Sequence, residues 1–188
     1  MTDVNAQTLE RLSPEGGHGP RSGDTGEARL VAMVELLFFA YRDFVAGPDE
    51  ILAELGFGRA HHRVLHFVNR NPGLRVADLL GLLKITKQSL ARVLKQLVDE
   101  GYIHQETGAV DRRERRLHTT DKGRRLARRL LVLQTQHLGK ALASAGVGSE
   151  TAAAAFLAGV IGPDDKAQAE ALRVRATSGL AVDAEGEA

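Results

Sequence analysis

Two apolar helical periods stand almost end to end in the middle of this 188-residue chain, and so short a connection between them predicts a helix-turn-helix. Val76 to Leu82 is short, mostly apolar and helical in pattern. After Leu83, Lys84 and Ile85, the Thr86 hydroxyl is placed to cap a second helix running to Glu100. Leu90, Val93, Leu94, Leu97 and Val98 form the buried stripe of that helix, which leaves Lys87, Gln88, Arg92, Lys95 and Gln96 on its outward side. Lys87, Gln88 and Ser89 fall in the first turn. Arg and Gln each offer two hydrogen bonds to a base edge, whereas Lys87 and Lys95 suit phosphates.

The segment that follows makes the pattern more specific. Gly101 stops the helix, and Tyr102 to Gln105 is expected to form a strand. A loop from Thr107 to Glu114, holding Gly108, Asp111, Arg112 and Arg113, leads to a return strand over Arg115 to Thr119. Thr120 then caps a long helix starting near Asp121. A hairpin carrying Arg112, Arg113 and Arg115 beside a basic helix is a wing, suited to a narrow minor groove. Asp111 would be repelled by phosphate, so its expected role is to orient an arginine or to close the turn.

The surrounding chain is helical in period. Leu30, Val34, Leu37, Phe38, Tyr41 and Phe44 form one stripe, which Gly47 and Pro48 are expected to break, with a short second helix from Asp49 to about Leu55. A third helix spans about Arg59 to Arg70, and Asn71, Pro72 and Gly73 mark a turn. From Asp121 to Ala145 an apolar face with Leu126, Leu130, Leu133, His137 and Ala141 is longer than one small lobe can cover, which predicts a second chain against it. Ser149 to Ile161 adds a further apolar surface, for the same use or for an intrachain core. The fold class is mostly α with a small β-hairpin wing: a winged helix-turn-helix lobe, about 57–120, and a helical dimerisation region within 27–162. Residues 1–26 are rich in Gly, Ser, Pro and acids and read as a disordered arm, and 163–188 as a C-terminal helix and tail, partly disordered.

Charge supports this division. The whole chain is nearly neutral at +1, yet residues 84–130 hold 13 Lys or Arg against 6 Asp or Glu, so that block carries +7 and the remainder −6. A concentrated basic block is the footprint of a surface that meets a polyanion. The chain has no cysteine, which rules out disulfides and thiolate ligands and agrees with a cytoplasmic location. No stretch approaches the length of a membrane helix, and the polar, acidic start does not read as a signal peptide.

At these residues the chain resembles the MarR family of bacterial regulators. VADLLGLLKITKQSLARVLKQLVDEGYI is similar to that family's helix-turn-helix, and DRRERRLHTTDKG to its wing and the start of the next helix, with Asp111, Arg112, Arg113, Thr120 and Gly123 at family spacing. Phe57 to Leu97 is most like the PetP-like branch. The resemblance covers about Arg29 to Ile161. It implies a homodimer whose terminal helices intertwine, a near-palindromic double-stranded DNA operator, repression by occlusion and release by a small-molecule effector. The DNA-binding set is then Thr86, Lys87, Gln88, Ser89, Arg92, Lys95, Gln96, Arg112, Arg113 and Arg115. One departure is Lys84, where the family often has Gly; a positive φ there would strain a lysine.

The histidines raise alternatives. His61, His62 and His66 lie on the third helix, and His62 and His66 are spaced to share a ligand, as in a metal- or haem-responsive regulator or a metal-dependent hydrolase. No cysteine or clustered carboxylate completes that ligand set, so a structural role is expected. The chain carries no phosphate loop, HExxH or nucleophile elbow, and neither an enzyme nor a resident cofactor is expected.

Overall fold

The computed structural model describes residues 24–108 and 114–172. The chain divides into two units, one ending at Tyr41 and one beginning at Arg42. Six helices and three strands follow in order: α1 (Asp24–Glu54), α2 (Arg59–Arg70), β1 (Leu74–Arg75), α3 (Val76–Leu83), α4 (Lys87–Asp99), β2 (Ile103–Thr107), β3 (Arg115–Thr119), α5 (Asp121–Ala145) and α6 (Ser149–Val160). After a break at Ile161 and Gly162, residues 163–172 form a further, seventh helix among the described residues. Among the described residues no single helix is long and apolar enough to cross a membrane.

The first helix corrects the sequence reading twice. It begins at Asp24, inside the stretch expected to be disordered, and it continues through Pro48 to Glu54 instead of yielding a separate short helix. A mid-helix proline removes a hydrogen bond and disfavours helical backbone in the residue before it, partly through that residue's Cβ. Here that residue is Gly47, which has no Cβ. Pro48, Ile51 and Leu52 are buried, so tertiary packing offsets the local penalty of about 3 kcal/mol.

The core of the second unit is made by side chains from every element of the winged lobe. Leu52 from α1, Val64, Leu65 and Val68 from α2, Leu79 from α3 and Leu90 and Leu97 from α4 close on Ile103, Leu117 and Leu130. The central helix α2 packs against α3, α4, α5 and β3. The sheet has the order β1-β3-β2, all antiparallel. The hairpin was legible in the sequence; the two-residue strand β1, pairing Leu74 with Leu117 and Arg75 with Arg116, was not.

Outside the lobe the apolar pattern is unfinished. Leu30, Leu36, Leu37 and Phe38 in the first unit are exposed, as are Phe156, Leu157 and Val160 of α6, a helix with no buried residue.

Candidate nucleic-acid interface

The α3–α4 corner is fixed by three local devices. Lys84 closes α3 in the left-handed region, φ 49° and ψ 43°, and its N–H donates to Leu80 O; among the described residues it is the one non-glycine with a positive φ. Arg63 from α2 donates to Leu83 O at 3.2 Å, satisfying a carbonyl that the helix end leaves open. Thr86 caps α4 as its sequence position predicted, with Ser89 N donating to Oγ1 at 3.1 Å and the two hydroxyls joined at 2.8 Å. Thr86 and Ser89 therefore orient the helix.

Along α4, Leu90, Val93, Leu94 and Leu97 are buried while Lys87, Gln88, Arg92 and Lys95 are exposed. Gln88 and Arg92 are one turn apart, on the side opposite the buried stripe. Lys95 shares that side and is paired with Asp99 in the next turn. Gln96 does not join them. It is half-buried and turned toward α2, with its Oε1 2.9 Å from His61 Nε2 and its Nε2 donating to Glu100 Oε1 at 3.1 Å and lying 3.5 Å from Gly56 O. Its amide serves the packing of α4 on the N-terminus of α2.

The hairpin lies on the other flank of α4. Between them is a cleft of about 1220 Å³, lined among others by Arg75, Ala91, Lys95, Gln105 and Arg115. Arg115 is exposed and donates to Thr107 Oγ1 at 2.7 Å, across the register that pairs these residues. Arg112 and Arg113, with Asp111, lie outside the described residues. The base of the hairpin is tied to α5 at Thr120, which caps that helix (Gly123 N to Oγ1, 3.1 Å) and donates to Gly101 O at 2.7 Å. A Cβ on Gly123 would sit 2.0 Å from Tyr102 O, so only glycine permits this approach of α5 to the hairpin. Lys122 completes the corner: its ammonium donates to Glu100 O at 2.8 Å and lies 4.0 Å from the Tyr102 ring centroid.

Several cations of the basic block are therefore engaged within the protein. Lys84 pairs with Asp165 at 2.8 Å, which raises its pKa, and Arg116 meets Glu114 at 3.2 Å. Outside that block, Arg75 is held by Asp78 and Glu114, and its bond to Asp78 lowers that carboxyl's pKa. Lys87 and Arg92 are exposed on α4, with Lys95 beside them.

The histidines of α2 are half-buried. His61 accepts from Gly58 N through Nδ1 at 3.1 Å, which leaves Nε2–H to donate to Gln96. Its ring stacks on Phe57 with centroids 4.8 Å apart. Both ring nitrogens of His61 are thus engaged within the protein. Burial lowers the pKa of His62, which Asp49 opposes, and lowers that of His66, where His62 and Arg70 act in the same direction. Both favour the neutral ring.

Known proteins share this arrangement. A MarR family model matches residues 55–114. The HTH-type transcriptional regulator PetP of Rhodobacter capsulatus is 50% identical over 113 residues, which cover 60% of this chain and 68% of that protein. FabT of Streptococcus pneumoniae, solved in complex with DNA, has a TM-score of 0.63 at 17% identity over 70% of this chain and 94% of its own. The repressor CouR, solved on a 23-mer duplex, has a TM-score of 0.58 at 24% identity over 76% of this chain and 99% of its own. Geometry and sequence identity agree: the chain belongs to the MarR family of DNA-binding transcriptional regulators.

Proposed function

We propose that the chain is a sequence-specific repressor that binds a near-palindromic operator as a homodimer in the cytoplasm. The observation that carries the reading is the split of α4 between a buried stripe and an exposed face holding Gln88 and Arg92, on a helix whose start is fixed by the Thr86 cap. These two side chains address neighbouring base pairs in the major groove. Lys87 and Lys95 contact phosphates, and Lys95 exchanges Asp99 for the duplex. Thr86 and Ser89 position the helix and stand close to the backbone. Arg115, with Arg112 and Arg113, forms the wing contact in the flanking minor groove. FabT and CouR hold DNA on the same fold, which supports the docking mode.

The dimer is supported by the apolar surfaces on α1 and α6, and a two-fold dimer matches a palindromic site. In this reading residues 27–162 form the winged-helix region with its dimer helices, and a small-molecule effector that favours the unbound spacing of the two lobes releases the operator.

The test is binding of wild type, Arg92→Ala and Arg113→Ala to a library of operator variants, with each protein first shown to be folded and dimeric. Loss of Arg92 relaxes discrimination at its own position by roughly 1–3 kcal/mol, and loss of Arg113 changes the flanking preference alone. Uniform weakening by Arg92→Ala across the library overturns the base-reading role. Affinity falls with salt at a logarithmic slope of about 0.9 per phosphate contact, so Lys87→Ala lowers the slope without altering the preferred sequence.

A further inference from the structure

The outer face of the wing hairpin brings together residues that the DNA-binding reading leaves unused. In the register of β2 and β3, His104 lies opposite His118 and Glu106 opposite Arg116. The two-residue period of a strand puts all four on one face, while Ile103, Leu117 and Thr119 turn the other way and are buried. Glu106 Oε1 is 3.2 Å from His104 Nε2, and its Oε2 is 3.5 Å from His118 Nε2. The two imidazoles lie nearly parallel, 16° apart with centroids separated by 5.3 Å. One ligand atom from each of the three residues lies within 4.8 Å of the other two.

The neighbouring guanidiniums are held by other carboxylates. Arg116, directly across from Glu106, donates to Glu114, and Arg75 engages Asp78 and Glu114. Glu106 thus meets the imidazoles. A tetrahedral Zn²⁺ with nitrogen and oxygen ligands at about 2.0–2.2 Å holds them about 3.3 Å apart; Glu106 presents one oxygen near that distance to each imidazole, and rotation of its exposed side chain lets a single oxygen serve both. The remaining His–His edge closes by rotation of His104, whose side chain is half exposed. Two imidazoles and one carboxylate suit Zn²⁺, Cu²⁺ or Ni²⁺ rather than Mg²⁺ or Ca²⁺, which prefer all-oxygen sites.

We infer that the wing carries a divalent transition-metal site formed by His104, Glu106 and His118, with Zn²⁺ as its natural fit and water completing the coordination. The cation clips β2 to β3 and adds positive charge to the hairpin.

Titration of the tag-free, full-length protein with Zn²⁺ against a chromophoric chelator tests the site without DNA, so its failure leaves the DNA-binding reading intact. Wild type takes up one Zn²⁺ per chain with a dissociation constant on the order of a micromolar. His104→Gln and Glu106→Gln, both at exposed positions, weaken binding by at least tenfold, as does His118→Gln. His66→Gln leaves it unchanged, and excess Mg²⁺ does not compete. Co²⁺ gives d–d absorption bands in wild type that His104→Gln abolishes. Equal Zn²⁺ affinity in wild type and His104→Gln, or loss of binding with His66→Gln alone, overturns the assignment.

Discussion

The winged lobe and the helices outside it use the same apolar residue types to opposite effect. Leu65, Leu90, Leu97 and Leu117 are at most 1% exposed, whereas Leu30, Leu36 and Phe38 on α1 are 64–69% exposed, and α6 buries nothing. Deep burial of a leucine stabilises a fold by roughly 1.5–3 kcal/mol, and exposed clusters of this kind mark contact surfaces. The lobe completes its own core. The outer helices leave apolar surface uncovered, which supports the dimer proposed above.

Truncating each surface separates the two. Leu97→Ala empties a fully buried site joined to α2, β2 and β3, and it lowers the unfolding free energy by about 2–5 kcal/mol. Phe38→Ser touches no buried core, so its effect on denaturation is expected to shrink as protein is diluted, because wild type then loses the same association. Midpoints measured over a hundredfold range of concentration decide this. A Phe38→Ser loss independent of concentration breaks the contrast.

Association itself gives the next effect in size. Leu37→Asp places a charge on the exposed apolar face of α1, and sedimentation at micromolar concentration is expected to show monomer where wild type is dimer. The far-UV signal of the lobe should be retained. A dimeric Leu37→Asp protein would move the interface away from α1.

The same contrast explains what the sequence could disclose. Thr86 and Thr120 were legible as caps because capping is decided within three residues, and both bonds form as expected. The buried stripe of α4 was legible from its period. Pro48 misled because the rule for a proline is local while its compensation, the burial of Ile51 and Leu52, is not. Strand β1 is two residues long and exists through pairing with β3, more than forty positions away. Gln96 sits on the flank of α4, and only the arrival of His61 from α2 shows which way it turns. The histidines show the reverse error: spacing drew attention to α2, while the tighter cluster forms across the hairpin, where register pairs His104 with His118. A two-residue period through His104 and Glu106 was the available signal.

A smaller effect sharpens the boundary of the lobe by pH. The pKa values of His62 and His66 are lowered in the folded protein, chiefly by burial, whereas the unfolded rings titrate near 6.5. A depressed folded pKa means the unfolded chain binds protons first. Their contribution is therefore full above pH 6.5 and is lost as pH falls from there through the folded values. Thermal melts between pH 7.5 and 5.5 are expected to fall less steeply with acid in His66→Gln than in wild type. An unchanged slope would place the acid sensitivity elsewhere.

The smallest predicted effect lies at the helix-turn-helix corner, where backbone and side chain pull in opposite directions. Lys84 adopts a left-handed conformation that its Cβ disfavours, and glycine would adopt it without that conflict. The ammonium of Lys84 also pairs with Asp165, but both side chains are exposed, at 58% and 40%, and such pairs contribute little. Glycine loosens the unfolded chain as well, which cancels part of the gain. Lys84→Gly and Lys84→Ala lose the same ion pair and differ mainly in backbone freedom, so comparing them isolates the strain. The glycine variant is expected to melt above the alanine variant by roughly 2–4 °C, with wild type close to alanine. If alanine instead melts above glycine, the left-handed turn is not strained, and the lysine at this corner reflects a preference for charge beside α4 rather than a tolerated cost.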